Sequence, residues 1–144
     1  MRTFTDNKGR NWNIEINIAT VKRLKGFNIN LMDAIRGDLI KEVSDDPIYL
    51  ADLIFYICKP QADELKISDE DFGSALAGDA IQKATDALLD ELIDFFPPGK
   101  RQVLRKAWTR LQDAKAKAEE AASHYLDGPK VDAIIEKELK NIIG

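Results

Sequence analysis

A change of hydrophobic period near residue 18 divides this chain into two kinds of local structure. Before it, Trp12, Ile14 and Ile16 alternate along RTFTDNKGRNWNIEIN, so their side chains fall on one strand face, and Phe4 is expected to cover the same face. Asn7-Lys8-Gly9-Arg10 between the two runs supplies turn chemistry, with Gly9 free to take positive φ. After it, apolar residues recur at helix spacing almost to the end. The expected fold is therefore mainly α, an N-terminal β-hairpin followed by a bundle of about five to six helices. A lone two-stranded hairpin is marginal in water, so its apolar face must lie on helices or on another chain.

With 144 residues, 44% of them hydrophobic, the chain is long enough for one core and reads as a single domain. Three regions subdivide it: the hairpin at 1–17, an acidic helical region at 18–99, and at 100–144 a long helix plus a C-terminal amphipathic helix. No internal repeat or flexible linker marks a second domain. The richest apolar run, IYLADLIFYIC at 48–58, is too short to span a bilayer and is interrupted by Asp52. The first residues show no apolar stretch before a small-residue cleavage site, so secretion is not expected and a reducing cytoplasm is. Cys58, the only cysteine, is expected to be a buried thiol.

Punctuation residues set the expected helices. Ile18, Val21 and Leu24 define the first, with Gly26 as its stop; Asn30 is placed to cap a second holding Leu31, Ala34, Ile35 and Leu39. Asp46-Pro47 opens a third, carrying Tyr49, Leu50, Leu53, Ile54, Ile57 and Cys58 to an end near Lys59, ahead of Pro60. Ser68-Asp69-Glu70-Asp71 has the form of a capping box for a short helix with Phe72, Ala75 and Leu76, stopping near Gly78. Asp79 is expected to cap a longer helix, in which Ile81, Ala84, Leu88, Leu92 and Phe95 repeat. Pro97-Pro98-Gly99 forces a break, since Pro97 holds Phe96 extended and neither proline donates an amide. From Lys100 to about Tyr125 strong helix formers follow, anchored by Val103, Leu104, Trp108 and Leu111. Beyond Leu111 the apolar face narrows to alanines, so this stretch either packs closely on a neighbour or projects partly free. Asp127-Gly128-Pro129 breaks the helix. A final one holds Val131, Ile134, Ile135, Leu139, Ile142 and Ile143, a stripe that either folds back or crosses to another molecule.

Charge is segregated: residues 1–30, 31–99 and 100–144 carry +4, −11 and +3, together −4. Either the basic ends pack on the acidic middle, or an acidic face steers a basic partner and repels phosphates. The basic residues Lys100, Arg101, Arg105 and Arg110 flank Trp108, but core packing already explains that helix, and nucleic acid is not expected to be a partner. His124 is the only histidine, near a helix C-terminus, and is expected to be a surface or capping residue. One cysteine and one histidine far apart supply no zinc set and no nucleophile–base motif. Asp86, Asp90 and Asp94 form an acidic ridge at four-residue spacing, read as a solvated face because no second ligand motif converges on it. Neither an enzyme nor a cofactor or metal is expected.

The order of features resembles the small tail assembly chaperones of long-tailed bacteriophages and prophages. The resembling stretches are FTDNKGRNWNIEINIATVKRLKGFNINLMDAI, DDPIYLADLIFYICKPQ and SDEDFGSALAGDAIQKATDALLDELIDFFP, within residues 4–97. That likeness implies a non-enzymatic protein of the host bacterial cytoplasm that shields the tape measure protein until tail tube protein encloses it. The tape measure protein is then the expected partner, with tail tube protein a second and a homo-oligomer through the last helix an open alternative. Candidate protein-binding residues are Trp12 on the hairpin face, Leu53, Phe72 and Phe95 around a helical groove, and Ile134, Ile135, Leu139 and Ile142 on the last helix. A competing expectation is a structural or adaptor subunit that stays in a phage particle or other protein assembly.

Overall fold

The computed structural model describes residues 1–36, 38–126 and 129–143, the side chains of 129–133 and 143 excepted. It is mainly α, with an N-terminal β-hairpin followed by several helices. Strands β1 (Arg2–Thr5) and β2 (Asn11–Ile14) pair antiparallel with Phe4 opposite Trp12. Phe4, Trp12, Ile14 and Ile16 are all buried, as the two-residue alternation requires. Gly9 takes φ +79° in the turn, which the Asp6 amide closes by donating to the Arg10 carbonyl at 3.0 Å.

Helix α1 (Ile18–Lys25) starts where the period changes, with Asn17 accepting from the Thr20 amide at 3.0 Å while the Thr20 hydroxyl answers the Asn17 amide. It stops at Gly26 as expected, but Gly26 has ordinary helical φ. The left-handed residue that turns the chain is Asn28, at φ 61°. The single helix expected after Asn30 is instead a 3-10 helix (Leu31–Arg36) and a separate α2 (Asp38–Asp45). Asn30 Oδ1 does cap this stretch, accepting from the Met32 amide at 3.1 Å.

Helix α3 (Pro47–Ile57) begins behind the Asp46 cap, whose carboxylate accepts from the amides of Ile48 and Tyr49. It ends two residues earlier than expected. Pro60 terminates nothing: it lies in the first turn of α4 (Lys59–Glu64), where a missing amide leaves no bond unmade. Lys66, at φ 57°, then turns the chain toward α5 (Asp69–Ser74), capped by Ser68 Oγ on the Asp71 amide at 3.1 Å. Helix α6 (Asp79–Phe95) is capped by Gly78 at φ 59° and ψ −128°, so Asp79 is its first helical residue and not its cap. Phe96 is extended before the proline pair, and α7 (Pro98–Leu126) and α8 (Pro129–Ile143) follow. Of the expected break at 127–129, Asp127 and Gly128 lie outside the described residues.

The chain divides into two compact units, Met1–Ala107 and Trp108–Gly144, the division falling inside α7. In the first, β1 lies against α6, and the core gathers Trp12, Ile14, Leu24, Leu31, Leu50, Leu53, Ile54, Phe72, Leu88, Leu89, Leu92 and Phe96, each at most 2% exposed. The edge of the Trp12 ring meets Phe72 at 4.9 Å between centroids, and Phe72 meets Phe55 at 5.4 Å. Ile18 and Val103, expected to face inward, are exposed. In the second unit Trp108 is buried while residues 112–114, 116–126 and 134–142 are exposed. No helix among the described residues is long and apolar enough to cross a membrane.

Candidate functional site

The hairpin is held by polar contacts that the apolar pattern does not reveal. Asp6 is central: its Oδ2 accepts from Trp12 Nε1 at 2.9 Å and Arg10 Nε at 2.8 Å, and its Oδ1 from the amides of Lys8 and Arg10 at 2.9 and 3.0 Å. Burial alone would push this carboxyl up, but the bonds from Trp12, Arg10 and the backbone outweigh it and hold it below the ordinary range. The hairpin tip is tied to the loop after α5, where Asn7 donates from its amide to the Ala75 carbonyl at 2.9 Å and from its side chain to Ala77. Lys8 and Arg10 both pair with Asp71. On the outward edge of β2, Gln61 Nε2 donates to the Asn11 carbonyl at 2.8 Å and Gln61 Oε1 accepts from the Asn13 amide at 3.0 Å.

The acidic ridge on α6 is only partly a solvated face. Arg2 pairs with Glu91 and Asp94, and Arg105 of α7 pairs with Asp90 at 3.5 Å and Asp94 at 3.2 Å. The hydrogen bond from Arg2, aided by the charges of Arg105 and Arg101, holds Asp94 below the ordinary carboxylate range. Within the first unit, then, basic residues from both flanking regions meet the acidic middle.

Trp12, Leu53 and Phe72 belong to the core, with at most 1% of each exposed, and offer no surface to a partner in this conformation. The structure brings Trp12 and Phe72 together as packing partners of each other. Phe95 is half-buried and meets Phe96 edge-on at 5.2 Å. The residues named on α8 are placed differently: Ile134, Ile135, Leu139 and Ile142 are 49–78% exposed. The Cys58 thiol is buried, lies 3.4 Å from the Asn13 carbonyl, and is pushed up to about 12 by burial, with Arg23 opposing. At neutral pH it is a packed thiol, not a thiolate nucleophile. No group of histidine, cysteine and carboxylate side chains placed to hold a metal occurs among the described residues.

One surface escaped the sequence reading. An open cleft of ≈ 400 Å³ lies between the start of α3, α5 and the start of α6, with Pro47, Ile48, Leu50, Ala51, Leu76 and Ile81 supplying apolar lining. Ile48 is 73% exposed there. Asp52 and Asp69 also line the cleft. Asp52, read in the sequence only as an interruption, is pushed up by burial and then by the negative charges of Asp69 and Asp46. The available signal was Ile48 itself, which falls off the buried stripe of α3 marked by Leu50, Leu53, Ile54 and Ile57.

No protein-family model, curated protein or solved structure matches the chain.

Proposed function

We propose that this chain is a non-enzymatic assembly chaperone of the tail-assembly type, which holds a helical client such as a tape measure protein through apolar surface in the host bacterial cytoplasm. The observation that carries this reading is α8, on which four large aliphatic side chains stand exposed at helical spacing. Such a stripe, unless covered, favours association, and clients of amphipathic helical character can cover it. Surrounding carboxylates would add solubility and discourage nonspecific contact, while apolar burial supplies affinity.

The test is co-expression with a tape measure protein, the very long coiled-coil-rich protein that this reading expects to be encoded beside it. Co-purification and increased solubility of that client are expected, with loss of both when Ile135, Leu139 and Ile142 are replaced by serine. Failure to bind or solubilise the client overturns the role. Stoichiometric recovery of this chain from purified particles would instead identify an adaptor that remains in the assembly.

A further inference from the structure

Several carboxylates of the first unit are neutralised within it, and those of the cleft are not. Asp6, Asp71, Asp90, Glu91 and Asp94 are each met by Arg2, Lys8, Arg10 or Arg105. Asp52 and Asp69 have no cationic partner among the described residues, and the interaction recorded between them is repulsive. Both line the apolar cleft into which Ile48 and Leu76 project lining surface. A groove of this kind accepts apolar side chains, and its charge selects those flanked by cations.

We propose that this cleft receives a basic amphipathic helix of a partner protein, whose large apolar side chains enter between Ile48 and Leu76 while flanking Lys or Arg residues pair with Asp52 and Asp69. Charge disfavours the nearest alternative, the α8 of a second copy. That helix carries Lys130, Lys137 and Lys140 against Asp132, Glu136 and Glu138, a net charge of zero, and Glu138 stands on its apolar stripe between Ile134 and Ile142. Seating it would bring a carboxylate toward two unpaired ones. The cleft takes its basic helix whether or not the chain serves phage tails, so client capture by α8 and binding here can fail separately.

The probe is a short fluorescent helical peptide of alanine, leucine and lysine, with leucines at i, i+3, i+4 and i+7 and lysines beside them, added to the full-length protein. Saturable binding is expected, with affinity falling as salt rises and no binding by the same peptide with glutamate for lysine. Asp52→Asn and Asp69→Asn should each weaken binding roughly threefold and together about tenfold, as rim ion pairs do. Ile48→Ser, at an exposed position, should weaken it further while leaving the circular dichroism spectrum unchanged. Binding unaffected by these three substitutions, binding abolished instead by Leu139→Ser, or equal binding of the acidic peptide would overturn the proposal. So would a concentration-dependent increase in molar mass that Ile48→Ser removes, because a second copy would then be the occupant.

Discussion

Asp6 shows how much a single residue can organise. Four donors converge on a carboxylate with no exposed side-chain surface, so removing it strands the Trp12 indole and two turn amides in a buried setting. Asp6→Ala is expected to cost about 2–4 kcal/mol, the range for breaking a buried hydrogen-bonded charge. Urea unfolding of the variant checks it, and a change below half a kilocalorie would remove Asp6 from that role. Backbone conformation gives a pair of substitutions with opposite signs. Gly78 sits at φ 59° and ψ −128° with open space where a Cβ would stand, so Gly78→Ala meets no clash beyond its own backbone and should lose about 1–3 kcal/mol. Lys66 already bears a side chain at φ 57°, so Lys66→Gly should raise stability by up to about 1 kcal/mol. Their midpoints in denaturant should move in opposite directions.

At the scale of elements, α8 departs most from the rule that an apolar stripe marks a core. Replacing Ile135, Leu139 and Ile142 by serine should leave the thermal midpoint of the first unit within a degree or two, since exposed positions contribute little to stability. A large loss would mean that the stripe is covered in solution. The hairpin was legible because period two and a glycine turn agree, and α5 because Ser68 has a partner three residues on. Where neighbouring helices are separated by one residue, the apolar pattern runs through the joint, so the α3–α4 junction at Cys58 and the break before α2 left no mark on it. Pro60 suggested a stop because proline fits a helix start as well as it follows an end. Burial also separated the candidate residues: periodicity identifies Trp12, Leu53, Phe72 and the α8 stripe alike as apolar faces, but only tertiary packing decides which of these faces is covered. Asp6 and the cleft at Asp52 were invisible for a related reason, since both depend on groups brought together from distant segments or a turn.

For the whole molecule, acid should act through the paired carboxylates of the first unit. Asp6, Asp71 and Asp94 all titrate below their ordinary 3.8 in the folded state, so the stability they contribute is complete above that value and is lost as pH falls through the lowered folded values. Asp52 has the opposite sign, because its raised value makes ionisation a cost that is relieved on acidification. The thermal midpoint should therefore hold from neutrality down to the carboxylate range and then fall steeply, with Asp52→Asn slightly raising the plateau. A midpoint that climbs below pH 3.8 would contradict the dominance of the three paired groups. Gln61 bears on how such a protein fails, as distinct from how it folds. By occupying Asn11 and Asn13 with its amide, it denies an incoming strand the docking rail on the β2 edge, so fibrous growth along that edge must wait until Gln61 lets go. The free edge of β2 is thus kept under a latch of one side chain.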